Sequence, residues 1–287
     1  MTDTAPPNRQ KARLNPVLSR YLQAFVMPKG QIGLGLVILL TALALLAPVL
    51  FPGGYDMQTR DSLLPASWAH PFGTDELGRD IFVRSIYGLR TDLALAATAV
   101  PLSMIIGTFL GLSGALSPRL GSLVQRALDI IVGFPGLILA ICVVLVVGAG
   151  WTALLVAIVI GGLPGFGRLA RATFLSQQHR EYVVAARTLG VSNWKIMVRH
   201  ILPNAIDPII VQGAVFVVAA VFTEAALSIV GLGLQPPEPS LGILLNVGMR
   251  YITMAPFYIL GPTLILVLLA LAFSLLADAL NSTVNRK

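Results

Sequence analysis

Few side chains in this sequence could do chemistry. Its 287 residues hold thirteen acids, three histidines and a single cysteine. The histidines, His70, His179 and His200, are far apart and show no metal-ligand spacing. Cys142 lies in an apolar run and has no cysteine to pair with, so it reads as a small packing residue. No nucleophile–base pair is visible. No Gly-x-x-x-x-Gly-Lys-Ser/Thr loop is present to wrap phosphates. The expectation is a chain that is not an enzyme, with no cofactor and no metal of its own. One acid stands out: Glu224 lies well inside an apolar run. A charge at the centre of a bilayer costs about 2.5–3.5 kcal/mol on insertion scales. Glu224 should therefore face a bundle interior or a wet cavity. It is either a residue of a translocation path or a structural hydrogen-bonding group. Asp92, Asp129 and Asp278 sit near the ends of apolar runs and read as boundary residues close to water.

The elements that hold these groups are apolar helices. Apolar residues make up 56% of the chain and charged residues 11%, against about a quarter charged in a soluble domain. Such a chain fits a surface that is mostly lipid. Runs of about 20 apolar residues cross a bilayer, and candidates are 32–51, 92–115, 128–149, 151–167, 206–232 and 259–280. The expected fold is all-α, a polytopic bundle of six transmembrane helices. The first run starts too late and is too long for a cleaved signal, so it reads as a retained span. Gly148, Gly150 and Trp151 mark a turn that splits the third span from the fourth. Pro101, Pro135, Pro164 and Pro262 lie in or near spans, where neighbouring helices can satisfy freed backbone groups. Gly107 and Gly111 form a small-xxx-small pair that suits close packing inside the chain.

The division that follows is a tail at 1–30, a first helix at 31–51, a segment at 52–91, a five-helix core at 92–280 and a tail at 281–287. With both tails in the cytoplasm, fifteen of the twenty Lys and Arg fall on the cytoplasmic side and five on the other. The positive-inside rule favours this orientation. It also accounts for the net charge of +7 without a nucleic-acid partner.

Two polar segments are too structured to be plain connectors. In 52–91, five acids and four bases accompany a stripe of Leu77, Ile81, Phe82, Ile86 and Leu89. Asp75 and Glu76 suit the first turn of a helix and Arg90 the last. The expectation is a short interfacial helix, with Asp75, Glu76, Arg79 and Asp80 available as an outer docking surface. In 168–204, residues 177–189 read as a helix and Gly190 as its left-handed closing residue. Ser192 then caps a second helix to about Ile201, and Pro203 precedes the next span. Tyr182, Val183, Leu189, Trp194 and Ile196 interleave with charges, as a protein-docking surface requires. A DNA-reading helix-turn-helix is disfavoured because membrane spans pin the unit on both sides.

This second segment resembles the cytoplasmic loop of membrane subunits of ATP-binding-cassette (ABC) importers. That pattern is Glu-Ala-Ala, three residues, Gly, nine residues, Ile, one residue, Leu-Pro. Ala185, Ala186, Gly190, Leu202 and Pro203 match it, while Val184 replaces the Glu and His200 the Ile. Glu181, one turn earlier, could supply a charge in place of the missing Glu. His70-Pro-Phe-Gly-Thr-Asp-Glu-Leu-Gly-Arg-Asp80, Phe134-Pro135, the run Glu224 to Gly233 and the run Gln235 to Gly242 are similar to segments of dipeptide and oligopeptide permeases. That family also includes nickel and glutathione importers. The resemblance runs from about residue 30 onward. It implies a permease of the type I importer fold in a bacterial cytoplasmic membrane, surrounded by lipid. Its implied partners are a second, homologous permease, a cytoplasmic ATPase that binds ATP and Mg, and an extracytoplasmic substrate-binding protein. It also implies that the helix around 181–190 sits in a groove on the ATPase. A self-contained secondary transporter or channel is the competing class, and one intramembrane acid without an evident inverted repeat argues against it.

Overall fold

The computed structural model describes residues 22–284. The basic residues Arg9, Lys11, Arg13, Arg20, Arg286 and Lys287 therefore lie outside the described residues, as does most of the tail at 1–30. The described chain is helical. The order is α1 (Pro28–Leu50), α2 (Ile81–Leu112), α3 (Pro118–Gly133), α4 (Gly136–Val147), α5 (Trp151–Gln177), α6 (Glu181–Thr188), α7 (Asn193–Ile196), α8 (Leu202–Ile229), α9 (Leu241–Gly248) and α10 (Phe257–Val284).

Five helices, α1, α2, α5, α8 and α10, are long and apolar enough to cross a membrane. The expected span 128–149 is not one straight helix. It lies across α3 and α4, which meet at a bend of 99°. Pro135 causes the break: it lacks an N–H and pushes the preceding residue out of helical geometry. Phe134 is accordingly extended, at φ −90° and ψ 139°. Counting the bent pair once gives up to six spans.

Long-helix alternation puts the loops 51–80, 148–150 and 230–256 at one end of the bundle. The α2–α3 turn and residues 178–201 lie at the other. Two contacts agree with this: Tyr258 donates to Glu76 at the first end, and Lys29 pairs with Asp278 at 3.6 Å at the second.

The core forms where small residues let backbones approach. A Cβ on Gly107 would lie 2.9 Å from the Leu163 carbonyl and the Phe166 Cβ, and one on Gly111 would strike the Gly167 backbone. The Gly107–Gly111 pair thus seats α2 on α5 within the chain. Leu40, Leu89, Ala225, Leu241, Leu269 and Ala272 make one buried cluster joining α1, α2, α8, α9 and α10.

Further helices differ from the sequence reading. α6, read as 177–189, starts at Glu181, because α5 runs on to Gln177 and residues 178–180 turn between them. α2 starts at Ile81 and continues unbroken into the span, so there is no separate interfacial helix before it. Asp80 caps it, accepting from Val83 N at 3.1 Å. Asp75 and Glu76 precede any helix, and Arg90 lies inside α2 rather than in a last turn. At 32 residues, α2 is about 48 Å long, well beyond the ~30 Å hydrocarbon core. One helix therefore serves as both interfacial and spanning element. α9, a short, buried helix, occupies a stretch to which the sequence reading assigned no element.

Candidate functional site

The helix–turn–helix at 181–196 is built from short-range hydrogen bonds. α6 ends in a paired closure: Gly190 N donates to Arg187 O at 2.9 Å and Val191 N to Ala186 O at 3.1 Å. That closure needs a left-handed residue, and Gly190 has φ +74°. Ser192 Oγ accepts from Lys195 N at 3.4 Å and starts α7. α7 does not stop before the next span. Met197–Ile201 form a π-helical turn that runs on into α8.

The unit has two faces. Val183 and Ala186 are buried against Phe166, Ala170 and Phe174 of α5 and against Ile196, Met197 and Ile201. The opposite face exposes Tyr182, Val184, Trp194 and, at 82%, Leu189. Glu181, Ala185 and Gly190 are also exposed, Leu202 is half-buried, and Pro203 is exposed. Ala186 alone of the matched residues points inward. The side chain of His200 lies outside the described residues. A surface of large apolar side chains between charges, carried on a small helical unit at a bundle end, suits a protein partner.

At the opposite end, charges hold the loop 51–80 to the bundle. Asp75 is fully buried. Its Oδ1 accepts from Leu77 N and Arg79 N, both at 2.9 Å, and its Oδ2 from Arg79 Nε at 2.6 Å. Arg79 also reaches Asp56 at 2.9 Å and Glu76 at 3.7 Å, while Arg84 lies 3.6 Å from Asp75. Burial works against the charge on Arg79. Its hydrogen bonds to Asp56 and Asp75, with the charges of Asp75 and Glu76, outweigh burial and hold the guanidinium above its ordinary value. Tyr258 Oη donates to Glu76 Oε2 at 3.0 Å, which ties the loop to α10. His70 Nδ1 lies 2.7 Å from Asp80 Oδ2. Phe72 packs on Gly261 and meets Phe82 edge-on at 5.2 Å. Of the four residues expected to form a docking helix, none is helical, and Asp75 and Arg79 are spent on internal pairing. Glu76 and Asp80 are partly exposed, though each is also engaged within the chain, Glu76 by Tyr258 and Asp80 by His70 and Val83 N.

The third region was only half visible in the sequence. Glu224 on α8 and Asp92 on α2 are each 1% exposed. Ser228 Oγ donates to Glu224 Oε1 at 2.7 Å, and Leu241 N donates to Asp92 Oδ2 at 3.2 Å. Asp92 is thus no boundary residue beside water; it receives the first N–H of α9, where the helix dipole favours an anion. Glu224 is held inside the bundle by Ser228, as a structural hydrogen-bonding group would be. Small residues make room for the arrangement. A Cβ on Gly242 would lie 2.7 Å from Ala225 Cα and Ser228 Cβ, and one on Gly88 would lie 2.9 Å from Ser240 C. The runs Glu224–Gly233 and Gln235–Gly242 are therefore two halves of one packing site. No group of three or more acid, His or Cys side chains that could hold a metal occurs among the described residues.

The helical bundle has a counterpart among solved structures. A chain of the inward-facing MetNI methionine ABC transporter superposes with a TM-score of 0.56 at 20% identity, over 70% of this chain and 96% of that one. The fold is that of an ABC-transporter membrane chain. More particularly, the chain belongs to the family of binding-protein-dependent transport system inner membrane components, which it matches over residues 86–287. Relatives include the dipeptide transport system permease DppC of Alkalihalophilus pseudofirmus, 34% identical over 99% of this chain and 94% of that protein. The di/tripeptide permease DppC of Pseudomonas aeruginosa is 37% identical over 94% and 92%. The glutathione permease GsiD of Pectobacterium atrosepticum is 36% identical over 100% and 96%.

Proposed function

We propose that this chain is one of two homologous permeases of a type I ABC importer for short peptides, or for a related solute such as glutathione, in a bacterial cytoplasmic membrane. Its relatives along nearly the full length are peptide and glutathione permeases. In this reading the bent α3–α4 pair is one span, giving six, and residues 1–30 and 281–287 are cytoplasmic. ATP and Mg stay on a separate ATPase, and the chain itself is not catalytic. A substrate-binding protein delivers solute at the end that carries the loop 51–80, where Glu76 and Asp80 remain accessible.

The observation that carries the reading is the outward apolar face of α6–α7. Tyr182, Val184, Leu189 and Trp194 dock in the ATPase groove, with Glu181 supplying the charge that Val184 does not. Closure of the ATPase pair then pushes on α6. The push reaches α5 through Val183 and Ala186, and α8 through the uninterrupted turn 197–201. At its far end α8 carries Glu224 to the start of α9. In this conformation Asp92 and Glu224 then act as a latch on the outer helix.

Gly190→Pro tests this. Proline cannot adopt φ +74° and has no N–H for Arg187 O. Uptake by the complete transporter should fall by about tenfold or more, with membrane insertion intact. Wild-type uptake would refute the coupling role.

A further inference from the structure

Beside the latch, at the same end of the bundle, lies a cleft of about 330 Å³. That is near the lower end of ligand pockets, about 300–1,000 Å³. Tyr55, Tyr87 and Trp151 line it, half-buried, and so do the exposed Arg90 and Glu238. The two Tyr rings meet edge-on at 5.2 Å. Tyr87 Oη donates to Phe51 O at 3.3 Å, which fixes that ring at the wall. Glu238 stands between Pro237 and Pro239, which restrict the backbone that carries it.

Aromatic residues at a membrane interface often form a lipid-facing belt. A belt does not account for what this cleft holds: two opposite charges, neither of which is in an ion pair with the other or with any described residue. The buried charges at this end, Arg79 and Arg84, by contrast share Asp75 as a partner. Arg90 offers a guanidinium fork that suits a carboxylate. Glu238 accepts from an ammonium group, and the rings add cation–π attraction and apolar area.

We propose that this cleft is an acceptor site for small zwitterions, in which Arg90 takes the free carboxylate, Glu238 the free ammonium, and the aromatic wall the side chain between them. With the peptide-importer reading, on which this assignment of substrate rests, it is the first contact of a short peptide with the permease.

The test uses the complete transporter in lipid nanodiscs, with calorimetric binding of alanyl-phenylalanine, its N-acetyl form, its C-terminal amide, and free phenylalanine. Arg90→Gln should weaken binding of alanyl-phenylalanine about tenfold, the scale of a lost charge-assisted pair, and leave the amide unchanged. Glu238→Gln should do the same for the free amino group and leave the N-acetyl form unchanged. Equal losses for free and blocked peptides, or no loss, would overturn the site. So would variants that lose capture of the binding protein while peptide binding stays intact, since the cleft would then be a protein contact. Uptake separates the two readings. If the wild type imports no peptide yet binds phenylalanine in an Arg90- and Glu238-dependent way, the peptide reading falls and the cleft stands. If peptides are imported with an unchanged KM in both variants, the cleft falls and the importer stands.

Discussion

The two ends of the bundle use polar and apolar residues in opposite ways. At the 51–80 end, a cluster of charges is turned inward. Asp75 is fully buried, Arg79 and Arg84 almost so, and each finds a partner within the chain. At the 181–196 end, apolar side chains are turned outward, with Leu189, Trp194 and Val184 more than half exposed. Burying charge costs free energy unless it is paired, so the first end is organised to hold its own shape. Exposing large apolar residues in a small charged unit leaves favourable burial undone, so the second end is organised to be covered. The difference separates a structural knot from an uncovered apolar surface, which is where the proposed docking falls, without reference to conserved positions.

This contrast breaks most easily at the knot. Asp75→Ala removes the acceptor of two backbone N–H groups and the partner of a buried guanidinium. It should destabilise the chain by about 3–5 kcal/mol, read as a lower melting temperature in detergent. At the other end, Leu189→Ala should act on the complex and not on the fold. We expect ATPase affinity to drop roughly tenfold, as for an interface anchor, with chain stability within about 0.5 kcal/mol. Loss of folded protein instead would make Leu189 a core residue. Ser192→Ala removes the cap of α7 and should cost about 1 kcal/mol, visible as faster amide exchange confined to 193–201. Smallest is Lys29→Ala. Its pair with Asp278 is about two-thirds exposed on both sides, and surface bridges contribute about 0–1 kcal/mol. A large loss there would show that charge also stabilises the docking end.

How much was legible in the sequence follows from the range of the interactions. The closure of α6 at Gly190 and the cap at Ser192 depend on contacts within five residues, and residue type alone reveals them; the start of α6 does not, since Gln177, read as its first residue, still belongs to α5. Long apolar runs likewise locate α1, α5, α8 and α10, because length and composition decide membrane crossing. The fold beyond that depends on pairs distant in the chain. Asp92 meets the start of α9 across 149 positions, and Tyr258 meets Glu76 across 182. Nothing local to Asp92 distinguishes a boundary acid from a buried one. The stripe Leu77 to Leu89 suggested a short helix because its apolar period is helical from the start. The cap at Asp80 and the compact turn around Asp75 begin the helix four residues later and let it continue. α9 went unassigned because eight residues between proline-rich and aromatic segments are too few to show a helical period. The signal was Ser240 before Leu-Gly-Ile-Leu-Leu, a cap followed by a buried run.

The most direct test of the central claim is disulfide cross-linking at Leu189. Leu189→Cys would be made with Cys142→Ser, since Cys142 is free and exposed, and single cysteines would be placed along the groove of the partner ATPase in the complete transporter. The account predicts a cross-link from position 189 to the ATPase whose yield changes when ATP is added. Absence of any such cross-link, with position 189 labelled by a membrane-impermeant thiol reagent from outside intact cells, would contradict both the docking role and the orientation.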